Sequence, residues 1–156
     1  ADHLPSHPGQ VSLPGGVIEP DDPTPRDAAL RETEEEVGLR RGDLRVIGRL
    51  DDVHTMVSGF VITPFVAILD APMAAVPSDR EVARVIHAGV ADLLAADERL
   101  PARPALLELR YPLEGEDVWG ATARILRSFS RVTRCALAGG LSREAPPGGG
   151  PAGRGR

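Results

Sequence analysis

The feature that most constrains this chain is a glycine pair that leads into a helix with carboxylates gathered on one side. Residues 13–39 read Leu-Pro-Gly-Gly-Val-Ile-Glu-Pro-Asp-Asp-Pro-Thr-Pro-Arg-Asp-Ala-Ala-Leu-Arg-Glu-Thr-Glu-Glu-Glu-Val-Gly-Leu. Thr24 suits the N-cap, Pro25 the first helical position, and Asp27 the place where a capping acid helps. Gly38 is a C-cap candidate, because a left-handed closing residue is easiest without a side chain. At about 100° per residue, Glu32, Glu35 and Glu36 share one face, while Leu30, Thr33 and Val37 face a core. Glu34 points away from the other glutamates.

Like charges three and four residues apart repel, by about 0.2–0.5 kcal/mol per exposed pair. A hard divalent cation removes that penalty and uses the oxygens. Arg31, four residues before Glu35, is placed to orient its carboxylate. A solvated acidic face is the commoner meaning of a Glu-rich helix, so its surroundings must decide.

Those surroundings carry a resemblance. Arg31-Glu32-x-x-Glu35-Glu36-x-Gly38-Leu39, following Gly15 and Gly16, resembles the Nudix box, G-x5-E-x7-R-E-U-x-E-E-x-G-U. Asp22 stands at the position of the first Glu, one extra residue separates it from Arg31, and Thr33 takes the place of an aliphatic residue. Upstream, Gly9 and Pro14-Gly15-Gly16 are similar to the signature of the coenzyme A diphosphatase branch, R-S-x-x-x-R-x3-G-x3-F-P-G-G. Pro5 and Leu13 occupy its second Arg and its Phe positions, and the leading Arg-Ser pair would fall at or before residue 1. Similarity to that branch continues through residues 50–64, Glu81-Val82 and residues 119–126.

The resemblance implies an α+β Nudix fold, with a mixed β-sheet sandwiched between helices. It also implies hydrolysis of the diphosphate linkage of coenzyme A or a derivative, giving phosphopantetheine and adenosine 3′,5′-bisphosphate. The expected cofactor is Mg²⁺ or Mn²⁺, on Glu32, Glu36, Glu35 and the Gly16 carbonyl. Catalytic roles fall to Glu35, Glu36 and Arg31, with Glu81 the leading downstream general base and Glu116 and Asp117 behind it. His7, Gly9, Gly15, Thr55 and Ser58 are the substrate-binding candidates. Two other readings remain open: a Nudix hydrolase for another nucleoside diphosphate derivative such as ADP-ribose or NADH, and a non-catalytic Nudix nucleotide-binding module.

Composition sets wider bounds. At 156 residues and 42% hydrophobic content, the chain suits one domain. Aromatics make up only 3%, so the core rests on aliphatic residues, with Trp119 as the expected aromatic anchor. All basic residues are Arg, and the net charge of −5 argues against nucleic acid as a partner. The partner expected is a small nucleotide, and a homodimer is compatible with such a chain. The lone Cys135 excludes an internal disulfide, fits a cytoplasmic setting and belongs to an apolar helical pattern. No apolar run is long enough to span a membrane. His3, His7, His54 and His87 lack zinc-site spacing.

Strands are expected at residues 11–13, 44–53, 60–69, 82–87, 108–112 and 117–119, the last two joined by a hairpin at residues 114–116. Helices are expected at 90–95 and 122–137, the latter with Ile125, Phe129, Val132 and Ala136 on one face. The domain would cover 1–138, with a preceding N-terminal strand missing, and 139–156 would be a disordered Gly/Pro/Arg-rich tail.

Overall fold

The computed structural model describes residues 10–55, 59–78, 82–102, 104–105 and 108–141. Its first helix, α1 (Pro25–Val37), starts and stops where the local chemistry dictates. The Thr24 side chain accepts the Asp27 backbone N–H, Pro25 opens the first turn, and Gly38 closes the helix at φ 69°. Val37 is buried beside an unanticipated Ala28, and Leu30 and Thr33 are half-buried. The Thr33 hydroxyl donates to the Ala29 carbonyl at 2.7 Å, which satisfies a polar group at a position usually aliphatic.

A 3-10 turn at Arg41–Asp43 leads into β1 (Leu44–Arg49) and β2 (Val53–His54), which run antiparallel to β4 (Phe65–Leu69) and β3 (Val61–Ile62). Leu44 pairs with Leu69 and Arg49 with Phe65, and the register shifts between Val46 and Gly48. The strand expected over residues 60–69 is divided at Thr63 and Pro64. Pro64 has no N–H to give, and its carbonyl instead accepts the Leu50 N–H at 3.0 Å. Nor is that stretch fully buried, since Ile68 is 40% exposed.

Helix α2 (Val90–Glu98) outlasts its expected end at residue 95, and the hairpin of β5 (Tyr111–Leu113) and β6 (Glu116–Val118) leads into α3 (Gly120–Leu141). Among the described residues the strands form three two-stranded antiparallel ladders, so the α+β class holds and a single mixed sheet does not. Residues 11–13 and 82–87 form no strand. The Val11 carbonyl is taken by the Thr122 hydroxyl at 3.0 Å, and the Val82 N–H turns back to the Ser78 carbonyl at 3.1 Å. Each backbone group thus finds a partner outside a ladder.

Two apolar clusters meet at α3. Leu93, Ala96, Leu109, Tyr111, Leu113, Val118 and Ala123 form one, Leu50, Val53 and Ile125 the other, and Phe129 packs on both. Tyr111 is the aromatic anchor, whereas Trp119 is 39% exposed. Beyond Phe129 the α3 face is no longer covered: Val132 is 55% exposed, and Ala136 and Cys135 are exposed. The helix nonetheless continues to Leu141, past the expected start of the tail at residue 139. The remainder of that tail lies outside the described residues.

The buried Tyr111 hydroxyl donates to Asp97 Oδ1 at 2.6 Å, and Arg134 reaches Asp97 Oδ2 at 3.2 Å. Burial first, and the Asp97 carboxylate second, push the Tyr111 phenol above its usual range. The raised folded value means that Tyr111 contributes stability fully present below pH about 10, where an unfolded tyrosine titrates, and lost progressively above it. Urea midpoints therefore fall between pH 9 and pH 11, less steeply in Tyr111→Phe. Equal slopes in the two proteins count against this assignment.

Candidate active site

The loop before α1 is drawn onto the helix by a single guanidinium. Asp22 closes a small turn, its N–H donating to the Glu19 carbonyl at 3.0 Å and its Oδ2 accepting the Glu19 N–H at 2.9 Å. Arg31 then meets both Asp22 oxygens, with Nε 3.2 Å from Oδ1 and Nη2 3.0 Å from Oδ2. Arg31 Nη2 also donates to the Val17 carbonyl at 3.1 Å, and Nη1 donates to Glu32 Oε1 at 2.9 Å and Glu35 Oε2 at 3.2 Å. The side chains of Arg31 and Asp22 are only 12% and 5% exposed. Their mutual hydrogen bonds hold the Asp22 carboxyl below the usual carboxylate range and raise Arg31.

The glycine pair closes on the same helix face. The Gly15 N–H donates to Glu36 Oε2 at 3.1 Å. Gly16 lies so close to Glu32 that a Cβ there would sit 2.3 Å from Oε1. The far end of the helix is pinned as well: the Ser78 N–H donates to the Glu36 carbonyl at 2.8 Å, and the Val76 N–H to the Val37 carbonyl at 2.9 Å. Glu34 points elsewhere and pairs with Arg41 at 2.9 Å.

Glu32, Glu35, Glu36, Arg31, Gly15 and Gly16 are therefore gathered at one place. Among the described residues, no group of three or more His, Cys, Asp or Glu side chains converges as a ready metal cage. The donor set still fits a hard divalent ion. Mg²⁺ commonly takes one or two carboxylates and completes its shell with water and substrate phosphate. Glu32 and Glu36 are the residues that would supply the carboxylates, and the missing side chain at Gly16 leaves the Glu32 oxygens unobstructed.

Other sequence candidates are placed differently. Thr55 follows β2, with its hydroxyl donating to the Phe60 carbonyl at 3.0 Å, and the preceding His54 carbonyl accepts from Arg124 Nη1 at 2.7 Å. Glu116 pairs with Arg84 and Asp117 with Arg110. His7, Gly9, Ser58 and Glu81 lie outside the described residues. Sequence reasoning gave Asp22 no role, although its place at the box's first acidic position was the available signal. The tie from Gly15 to Glu36 had no signal beyond the motif itself.

Residues 2–107 match the NUDIX domain. The chain is 34% identical over 136 residues to the uncharacterized Nudix hydrolase NudL of Yersinia pestis (strain Pestoides F), covering 84% of this chain and 68% of that protein. The same figures hold for the protein of that name from Yersinia pseudotuberculosis serotype O:1b (strain IP 31758). Among the described residues, no helix is long and apolar enough to cross a membrane. Nudix hydrolases act on small nucleotide substrates and generally use divalent ions such as Mg²⁺ or Mn²⁺. The chain belongs to the Nudix family, as a hydrolase acting on diphosphate bonds of nucleoside diphosphate derivatives.

Proposed function

We propose that the substrate is coenzyme A or one of its derivatives, cleaved at the diphosphate to phosphopantetheine and adenosine 3′,5′-bisphosphate. The observation that carries this reading is the position of Pro14-Gly15-Gly16. These residues end the coenzyme A-type signature, and Gly15 and Gly16 are also where the loop closes on Glu36 and Glu32. A substrate-recognising segment is thereby continuous with the backbone that contacts the carboxylates.

In this reading Glu32 and Glu36 hold Mg²⁺ or Mn²⁺, with Glu35 and the Gly16 carbonyl as further oxygen donors. When bound, the ion supplies neutralisation of the diphosphate charge and Lewis acidity at phosphorus. The carboxylates bring the negative charge that attracts and orients it. Arg31 keeps Glu32 and Glu35 in fixed rotamers, so little reorganisation remains when substrate arrives. Hydrolysis adds water to one phosphorus, breaks its bond to the bridging oxygen and leaves that oxygen on the departing phosphate. The proton removed from water goes to a carboxylate, with Glu35, Glu36 and Glu81 the candidates. His7, Gly9, Thr55 and Ser58 would contact the remainder of the substrate. The cell compartment proposed is the cytoplasm.

The test is release of adenosine 3′,5′-bisphosphate from coenzyme A with Mg²⁺ or Mn²⁺, set beside ADP-ribose and NADH. The expected result is a kcat/KM for coenzyme A at least about tenfold above the other two, a discrimination worth about 1.4 kcal/mol. Preference for ADP-ribose or NADH transfers the assignment to that substrate. Nucleotide binding without turnover of any of them favours the non-catalytic reading.

A further inference from the structure

On the reading that Glu32 and Glu36 hold the divalent ion, we propose that Thr122 is a positioning residue of the catalytic site. By holding the Val11 carbonyl from α3, it sets where Gly15 and Gly16 meet Glu36 and Glu32.

The glycine pair sits on a stretch with little cover of its own. Residues 12–20 are exposed throughout, and the half-buried Val11 precedes them. Val11 packs against the cluster that contains Leu93, Tyr111 and Ala123, and its carbonyl accepts the Thr122 hydroxyl at 3.0 Å. Beside it, Gln10 lies against Gly120, where an added Cβ would stand 3.3 Å from Gln10 Nε2. The start of α3 is thus a cradle for residues 10 and 11. It is also a fixed frame, because Thr122, Ala123 and Ile125 are buried, the last two in the two apolar clusters.

From Val11 to Gly15 the chain can span at most about 14 Å, so the place of Val11 bounds the place of the Gly15 N–H. Held at Val11, the chain delivers that N–H to Glu36 Oε2 at 3.1 Å and brings Gly16 against Glu32. Threonine suits the task for two reasons. Its single hydroxyl proton satisfies a backbone carbonyl that no ladder takes up. Its branched Cβ restricts χ1 in a helix, so the donor stays aimed.

Thr122→Val keeps the shape and removes the donor, whereas Thr122→Ser keeps the donor. In the metal-free protein, followed by nuclear magnetic resonance, the Gly15 N–H should exchange with solvent at least about tenfold faster in Thr122→Val. The Gly38 N–H, which closes α1 on the Glu34 carbonyl at 3.1 Å, should keep its parental rate. A general loosening of the fold would move both. Gly15 donates to a carboxylate assigned to the ion, and partners of that kind contribute about 10–100-fold to metal affinity. The Mn²⁺ dissociation constant, measured by electron paramagnetic resonance without substrate, should therefore rise about tenfold. In turnover assays kcat should fall about tenfold or more while KM at saturating Mn²⁺ stays within about twofold. Thr122→Ser should remain within about threefold of the parent in each measurement, because its hydroxyl donates as threonine's does. Ser130→Ala is the control. Its hydroxyl is fully buried on the same helix and meets no hydrogen-bond partner among the described residues, so its loss should change none of these values.

A single glycine inserted between Ser12 and Leu13 tests the same path without touching α3. Both residues are exposed, so the insertion keeps the bond from Thr122 to Val11 and uncouples it from Gly15. It should reproduce the Mn²⁺ loss of Thr122→Val, and combining the two changes should lower affinity no further. Parental Mn²⁺ affinity in the insertion variant overturns the proposal, and decides the matter alone where Thr122→Val fails to fold. Parental Gly15 exchange in folded Thr122→Val, equal acceleration at Gly15 and Gly38, or Thr122→Ser as impaired as Thr122→Val also overturns it. So does a further loss of about tenfold when insertion and Thr122→Val are combined. A parent chain that binds no Mn²⁺ overturns the ion-holding reading together with the role of Thr122. Loss of binding in Glu36→Gln, with parental affinity in folded Thr122→Val, overturns only the role of Thr122.

Discussion

Glu36→Gln should lower kcat/KM by at least about a hundredfold while leaving the fold intact, a loss of the size seen when a key electrostatic group is removed. Glutamine keeps an amide oxygen where Glu36 Oε2 now accepts the Gly15 N–H at 3.1 Å, so the loop retains its anchor. What disappears is the negative charge, four residues from Glu32 on the same helix face. In the metal-free protein that deletion also relieves a like-charge pair, worth a few tenths of a kcal/mol, so roughly no stability is lost. Divalent ion reverses the sign of the comparison. A ligand that binds only the folded state stabilises it by about 2.7 kcal/mol at a hundred times its dissociation constant, and the parent gains this while the variant does not. Thermal midpoints with and without Mn²⁺, alongside kcat/KM, check both halves. Glu34→Gln is the control, because Glu34 is turned away and paired with Arg41. Glu36→Gln with more than a tenth of parental activity removes Glu36 from the proposed metal site.

The contrast between Glu36 and Glu34 is legible in the sequence, because helix periodicity sorts side chains by position alone. The same holds for the limits of α1. Thr24, Pro25 and Gly38 are local signals, acting within one turn of the residues they cap. The strands were less legible. A strand exists only with a partner, and neither the Val11 carbonyl nor the Val82 N–H joins a ladder. Trp119 shows a missed alternation. Val118 faces inward opposite Tyr111, so its neighbour faces outward, and the buried aromatic is the tyrosine.

At α3 the apolar pattern outran the core. The helix has 22 residues, but its packing on both clusters ends at Phe129, and periodicity cannot reveal where the neighbouring layer stops. In the site, the carboxylate face was readable and the grip of Asp22 on Arg31 was not. That contact joins residues nine apart across a loop whose closure depends on the turn at residues 19–22.

Gly16→Ala separates site geometry from stability most cleanly. The backbone at Gly16 does not adopt the left-handed region, so alanine meets no conformational strain. Its Cβ would nevertheless stand 2.3 Å from Glu32 Oε1, 2.5 Å from Cδ and 3.0 Å from Oε2. Those atoms are the far end of a flexible side chain and can swing away at little cost to the fold. Alanine also narrows the unfolded ensemble, which favours folding by about 0.4–1 kcal/mol. The expected thermal midpoint is therefore within about 4 °C of the parent. Activity should not share that tolerance. Once displaced, Glu32 loses its 2.9 Å contact with Arg31 Nη1 and its place beside Glu36. A shift of about 1 Å in such a group commonly costs about a hundredfold in rate. Gly42→Ala, whose added Cβ meets nothing within 4 Å, should behave like the parent in both measurements. The decisive comparison adds Glu32→Ala. If Gly16 matters only by leaving room for the Glu32 side chain, Gly16→Ala has nothing further to disturb once that side chain is truncated, and the double variant is no slower than Glu32→Ala alone. A multiplicative loss instead gives Gly16 a second function of its own, with its carbonyl as the oxygen donor that the metal reading assigns to it.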